Sequence, residues 1–416
     1  MLRRQLVFAS VVLVWLQAAH AQEATSGISV PVTISGGASY VNGTDHPEVN
    51  GAFRAVASPT LSLGHHWFGY ASLEIQSQSY LDYGSRGADD DQPVQFSPMQ
   101  AYVGYRAEGK SSSFMFKAGQ LTSAFGIGPL EYDDARMPLV GPPPIYESRL
   151  ALRGDQLPCG VNDLLWQSYG SEVKFHCGGS SDEAYGLVPV TLYGLPAVEG
   201  EFSWDRVDAR LQITNSSPAN PLPVLLDHQS VQWTAGGGYT FRGGLHIGMS
   251  GFHGPYLDRG VVGLLPSGKG LRDFPASGVG ADMQWSGGSW SIEGEWQHFR
   301  FAIPTFTNSP SVTGAYLQVK KIVTPRFFLA LRTSTEDTGR IADSSGRSAG
   351  QIRAPERIEE FGLGYRLNRN QLLKAGMDLA IDEPWSASRE FWPGRHAYGM
   401  QVQLVTSFDG LSRTFR

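Results

Sequence analysis

Beyond its N-terminus the chain has no long apolar run. That excludes a bundle of spanning helices, each of which needs about 20 predominantly apolar residues. Charge is scarce too: Asp, Glu, Lys and Arg make up 17% of the 416 residues, where about 25% is usual for soluble domains. The formal net charge of -6 is the wrong sign for a nucleic-acid binder, which presents a basic surface. Two familiar catalytic signatures are missing as well, H-E-x-x-H and C-x-x-C. Gly263 to Gly270 comes close to a phosphate-binding loop, but Gly270 stands where a Ser or Thr should hold magnesium. His65-His66 has no partner at zinc-like spacing. No cofactor or metal is expected.

The N-terminus carries an export address. Arg3 and Arg4 precede a short apolar stretch, Leu6 to Leu16, and Ala19-His20-Ala21 fits a small-residue cleavage site. Residues 1–21 are therefore expected to be a signal peptide, with Gln22 beginning the mature chain; a retained N-terminal anchor is the other reading. Cleavage removes two arginines and no acid, taking the net charge from -6 to -8. An exported chain permits a disulfide. Cys159 and Cys177 are the two cysteines. Spacing leaves open a bridge tying a loop to the next strand, or two unrelated thiols.

What is present is glycine, 50 residues of it, together with strict alternation. Val231, Trp233, Ala235, Tyr239 and Phe241 fall on one face of a strand, and Gln232, Thr234, Thr240 and Arg242 on the other. The pattern returns where Val207, Ala209, Leu211 and Ile213 oppose Arg206, Asp208, Arg210 and Gln212. It returns again in 245–250, 281–285, 361–367 and 373–379. Charges recur on the polar face too often for a packed core, and suit a wet interior.

Connections alternate in length. Short turns at 108–110, 242–244, 286–288, 324–325 and 368–370 are separated by long polar or Pro-rich stretches at 81–96, 121–168, 214–229, 254–274, 302–311, 336–355 and 382–395. Short turns on one rim and long loops on the other describe an all-β, antiparallel up-and-down transmembrane β-barrel. With strands of about 9–11 residues, the mature chain accommodates roughly 16. The barrel is expected over 22–408, with 409–416 as a C-terminal tail. Trp67, Tyr70, Tyr102, Tyr105 and Trp204 lie near strand ends, as interfacial aromatic girdles would place them.

Phe114-Met115-Phe116-Lys117-Ala118-Gly119-Gln120, running into Leu121-Thr122-Ser123-Ala124-Phe125-Gly126, resembles the strand-to-loop signature of the phosphate-selective and related substrate-selective porins of Gram-negative outer membranes. The strand 397–408, closing on Phe408, is similar to the C-terminal strand that bacterial barrel-assembly machinery recognises. The resemblance implies a passive channel for small hydrophilic solutes or ions, set in outer-membrane lipid, and commonly a homotrimer. Lysine-rich loops serve the phosphate-binding members; here the loop after Phe125 is acidic, with Glu131, Asp133 and Asp134.

The connection 121–168 is read as the longest. Loops beyond about 15 residues are usually functional or disordered. This one holds Pro129, Pro138 and Pro142-Pro143-Pro144, with apolar Leu139, Val140 and Ile145. It either folds into the barrel as a constriction or caps it from outside. Folded inward, Glu131, Asp133 and Asp134 would oppose the lumen-facing bases Arg106, Arg206, Arg210, Arg242, Arg332 and Arg366, and set ion preference. The other readings are an enzymatic or adhesive barrel, with Ser250 and His246 on one strand face as the imagined pair, and a soluble exported β-protein. A propeller of the latter class would show a blade repeat, and none is evident.

Overall fold

A computed structural model describes residues 26–41, 49–77, 94–128, 133–146, 149–165, 167, 173–177, 186–221, 231–304, 306–342, 349–352, 355–382 and 396–415. The expected signal peptide, 1–21, lies outside the described residues. Sixteen antiparallel strands form a closed barrel. In chain order they are β1 (Ser26–Val41), β2 (Val49–Ala57 continuing as Thr60–Leu63), β3 (Trp67–Ser77), β4 (Val94–Glu108), β5 (Ser112–Leu121), β6 (Leu195–Trp204), β7 (Val207–Ser217) and β8 (Val231–Thr240). Then follow β9 (Leu245–Pro255), β10 (Pro275–Gly287), β11 (Trp290–Phe301), β12 (Ser311–Thr324), β13 (Phe327–Thr338), β14 (Glu356–Arg366), β15 (Gln371–Asp382) and β16 (His396–Phe415). Each strand pairs with the next, and β16 returns to pair with β1 from Ser26↔Phe415 to Val41↔Gly399.

The alternation sorts the faces as the sequence implies, but inside out relative to a soluble protein. Along β8, Val231 and Trp233 are 62% and 47% exposed, while Gln232 and Thr234 between them are fully buried. The apolar face is the exterior and the polar face lines the lumen, as a barrel in hydrocarbon requires. The short-turn rim carries the aromatic girdle. Trp67 meets Tyr105 edge-on at 5.1 Å, Trp204 is exposed, and Lys321 sits 4.2 Å from the Trp290 ring. Two residues read as girdle are not part of it. Tyr70 and Tyr102 stack at 5.2 Å on the opposite parity to Trp67 and Tyr105, which puts them in the lumen.

Short turns close as the sequence indicates. The β6–β7 turn is only Asp205-Arg206, with Asp205 at φ 51°, a conformation Asp tolerates better than most residues. Proline marks irregularities of the wall: β2 breaks at Ser58-Pro59 opposite the β1–β16 shift at Val30/Pro31, and the β3–β4 register shifts at Pro98.

Two boundaries differ from expectation. The connection after β5 runs over 122–194, not 121–168, because among the described residues after 168 the next barrel strand begins at Leu195. Residues 409–415 are not a tail. They continue β16 and pair with Ser26 to Pro31, a run whose alternation is weakened by Gly410 and the bulge. Deleting 409–416 leaves the start of β1 without one of its neighbours. Refolding yield in detergent should drop and the heat-modifiable band should unfold at lower temperature; an unchanged transition would restore the tail reading.

Candidate functional site

The connection after β5 divides into two parts. Residues 122–128 and 133–146 lie against the inner wall, and 149–165, 173–177 and 186–192 join the long loops above it. The first part is held by the lumen-facing side chains of strand after strand. The Gln212 side-chain amide on β7 donates to the Thr122 carbonyl at 2.7 Å and accepts from the Ala124 N–H at 3.3 Å. Arg210 donates to the Gly126 carbonyl at 2.6 Å, and the Gly126 N–H donates to Ser250 on β9 at 3.1 Å. On β11, Glu295 accepts from the Tyr146 hydroxyl at 2.5 Å, and Gln297 donates to that hydroxyl at 2.7 Å.

Across the lumen, Ser35 on β1 donates to Asp134 at 2.5 Å, and Arg54 on β2 bridges Asp134 at 3.4 Å and Glu74 on β3 at 2.5 Å. Lys374 on β15 donates to the carbonyls of Asp134 at 2.9 Å, Leu139 at 3.0 Å and Met137 at 3.4 Å. Arg332 on β13 forks onto Glu360 at 2.5 and 2.6 Å and donates to the Pro142 carbonyl at 3.0 Å. Lys374 and Arg332 reach backbone carbonyls that no secondary structure satisfies, and Arg54 neutralises the buried Asp134, so the segment needs them.

Glycine makes the room. A Cβ on Gly280 would stand 3.2 Å from the Phe125 ring and one on Gly314 would stand 2.9 Å from Ile145. One on Gly362 would run into Leu139. In register, Gly236, Ser250, Gly280, Gln297 and Gly314 form one cross-strand row from β8 to β12. Small residues recur in that row, leaving a groove where the segment settles. Phe125 packs there in tilted and edge contacts with Phe252 and Phe299, at 5.3 and 5.4 Å.

The second part of the connection forms a cap. Leu150, Leu152, Leu157, Val161, Leu164, Val173 and Val190 share a buried apolar cluster with Tyr256, Leu257 and Val261 from the β9–β10 connection, Ile303 beyond β11, and Ile341. A short helix α1 (Val161–Leu165) is flanked by the Cys159–Cys177 disulfide. The bridge lies wholly within the 122–194 connection and ties no strand. Asp163 accepts from the backbone N–H of Cys159 at 3.0 Å and of His176 at 3.2 Å. At the cap edge, burial raises the Asp258 carboxyl above its ordinary range, partly offset by the Asn220 amide donating at 2.8 Å. The sequence posed an inward loop and an outer cap as alternatives; this connection contributes to both.

The residues singled out in the sequence are dispersed. Arg210 and Arg332 touch the segment. Arg106 stands at the short-turn rim beside Glu108 at 3.3 Å. Arg206 and Arg242 occupy short turns and Arg366 ends β14, so these four are far along their strands from the segment. Asp134 is buried in the Arg54–Ser35 contacts, and Asp133 faces Arg136 at 3.5 Å. Glu131 lies outside the described residues. Ser250 and His246 are not a pair: Ser250 receives Gly126, and His246 meets Thr240 at 3.1 Å and Asp208 at 3.7 Å.

The lumen-facing bases named from the sequence leave out Arg54 and Lys374, and Lys117 entered only through the porin-like signature. Lys117 on β5 joins Glu199 at 3.1 Å and Glu201 on β6, and lies 5.8 Å from the Tyr102 ring. Alternation alone places Lys117 and Lys374 on polar faces, and was the signal available for both. Arg54 sits in Phe53-Arg54-Ala55-Val56, where alternation is poor.

No known family profile and no curated protein sequence matches the chain. Solved structures do. The anion-selective porin from Comamonas acidovorans superposes with a TM-score of 0.54 at 12% identity, over 92% of this chain and 100% of that one. The outer-membrane channel DcaP of Acinetobacter baumannii gives 0.53 at 10%, over 93% and 99%. Salmonella typhi OmpF, in complex with daunomycin, gives 0.51 at 12%, over 92% and 97%. The fold is that of the Gram-negative outer-membrane porins. At such identities the likeness concerns the path of the chain, and side-chain chemistry has to be read from this barrel's own residues.

Within this porin fold two substitutions probe how the segment is seated. Gly280→Val forces Phe125 out of its groove and should destabilise the barrel by about 1–3 kcal/mol, seen as a lower unfolding temperature of the heat-modifiable form. Lys374→Met keeps most of the volume and strips three carbonyls of their donor. The expected cost is roughly 3 kcal/mol, with faster protease cleavage inside 122–146.

Proposed function

We propose that the protein is a passive outer-membrane channel for small hydrophilic solutes or ions, narrowed by residues 122–146. The observation that carries this reading is the division of labour among lumen charges. Arg54, Arg332 and Lys374 hold the segment against β1, β2 and β13–β15. Facing it, β3 to β6 present Tyr70, Tyr102, Lys117, Glu199 and Glu201 to the lumen. The solute path runs along that sector. A packed interior has no use for so many ionisable groups, and a water-filled one does.

The wall from β5 to β11, which shares β5 and β6 with that sector and runs on behind the segment, carries a sign. Lumen-facing positions of β5 to β11 bear six carboxylates, Glu199, Glu201, Asp208, Asp282, Glu293 and Glu295, against two permanent cations, Lys117 and Arg210. Two minus six is -4, a wall that favours cations. Selectivity is thereby assigned to β5–β11 instead of the acidic residues 131–134 and the rim arginines. Enzymatic activity is not part of this reading, since Ser250 and His246 serve different neighbours.

Planar-bilayer recordings of refolded protein under a salt gradient test it. Discrete open steps with a cation-favouring reversal potential are expected, and Glu201→Gln should lower the cation-to-anion permeability ratio by about twofold. Folded protein that never conducts overturns the channel. Conduction whose ion preference ignores Glu201 but follows Asp133→Asn overturns the assignment to β5–β11.

A further inference from the structure

One sector of the barrel exterior near the long-loop rim, over β7 to β12, carries polar and basic side chains among apolar ones. In register across β7 to β12, Ile213, Trp233, His253, Ser277, Arg300 and Ser311 form one outward-facing row. The row below it reads Ala235, Gly251, Val279, His298 and Thr313. Neither row contains an acid as far as β12; the lower row's next partner, on β13, is Asp337, whose carboxylate accepts from Gln351 at 3.1 Å. His253 and Arg300 are exposed, and Trp233 and Trp296 flank them on the same outer face. Trp296 stacks on His298 at 6.3 Å with the rings 8° from parallel, and Trp233 lies 6.5 Å from His253. His298 Nδ1 and the Thr313 hydroxyl are hydrogen-bonded at 2.9 Å, which fixes the ring with its other nitrogen free to point away from Thr313.

The position of this patch has consequences. Arg300 is one residue from the end of β11, and His253 two from the end of β9. At about 3.4 Å per residue, the row sits within roughly 10 Å of the strand ends, at the level of lipid headgroups. Tryptophans at this height are at home in an interfacial belt. A guanidinium and two imidazoles there are not needed to satisfy the wall. Elsewhere on the exterior an arginine is neutralised locally: Arg357 on β14 pairs with Glu359 at 2.5 Å. The chain as a whole is acidic, so the cationic sector runs against its background. His253 and Arg300 are separated by one strand, a span of about 10 Å, with the Ser277 hydroxyl between them. Donors on both sides and a hydroxyl in the middle match a tetrahedral, multiply negative oxyanion.

We propose that the outer rim of β8–β12 is a binding site for the phosphate headgroup of an anionic membrane lipid, with Arg300, His253 and His298 on the headgroup and Trp233 and Trp296 against the adjoining chains. The occupant is a lipid because the site opens sideways into the bilayer region instead of into the lumen. Its apolar surroundings, Val279, Ile213 and Trp296, are exposed exterior surface.

The test uses the full barrel in nonionic detergent. Phosphatidic acid and its uncharged diacylglycerol counterpart are titrated in, and retained lipid is counted by native mass spectrometry. Wild type should retain phosphatidic acid over diacylglycerol. His253→Ala/Arg300→Ala should weaken that retention by about tenfold, while Arg300→Lys retains most of it. Arg357→Ala, three strands from Arg300 on the exterior of β14, should change nothing. Heat-modifiability of each variant reports that the barrel is folded. Equal retention by the folded double variant overturns the site, and so does an equal loss in Arg357→Ala, which would make the effect general electrostatics. Inorganic phosphate that displaces the lipid at matched concentration would show a free-anion site and overturn the lipid assignment. None of these readouts depends on whether the barrel conducts.

Discussion

Closure is the constraint on which everything else in this molecule rests. In hydrocarbon no water is available to satisfy a backbone N–H or carbonyl, so a sheet can span only if its last strand returns to its first. Here that seam is the longest in the barrel, β16 against β1 over nearly the whole of both strands. Once the sheet is closed, strand parity has only two destinations, lipid and lumen. Most apolar positions go out and most charged ones go in; inward apolar residues such as Phe252 and Phe299 meet the apolar side chains of the segment. The seam also explains why residues after Phe408 belong to the wall: Ser26 to Pro31 needs a partner as much as the mid-membrane residues do.

An enclosed polar surface creates a second problem, which the segment 122–146 and the wall solve jointly. Irregular backbone at membrane depth is tolerated where it lines a cavity and its polar groups are met. Lys374, Arg332, Arg210 and Gln212 meet the carbonyls of this segment, and Ser250 and Gln212 meet its N–H groups. Glycines on the wall let Phe125, Ile145 and Leu139 lie close. The abundance of glycine therefore has a mechanical reading in part. At Gly280, Gly314 and Gly362 it is a recess shaped for another piece of the same chain. The cap continues this logic above the rim, where apolar side chains from several long loops bury one another.

Charge is used in three ways at three levels. Buried cations fasten the segment, half-buried Glu201 and Lys117 border the sector opposite it, and rim arginines such as Arg106 sit in or near water beside exposed acids. The two inner levels differ in exposure more than in residue type. Arg54 and Glu74 are out of reach of solvent, while Glu201 is not. A solute meets only the second kind.

The barrel itself was legible in the sequence because strand parity is local: the side-chain period of two and the turn residues act over a few positions. Strand number, the polar interior and the rims follow from that alone. The functional lining was not legible at the same level. Parity says that Arg106, Arg210 and Arg332 face inward, but says nothing about height along the barrel, so rim and mid-lumen arginines look alike. Tyr70 and Tyr102 show the same limit in reverse, since aromatic residues near strand ends suggest a girdle until their parity is set against Trp67 and Tyr105. Which cations fasten the segment, where 122–194 divides between lumen and cap, and which carboxylates are left facing water depend on contacts between residues more than a hundred positions apart, such as Lys374 with Leu139. Such contacts exist only after the sheet has closed, and for that physical reason the tertiary structure, not the sequence, decided them.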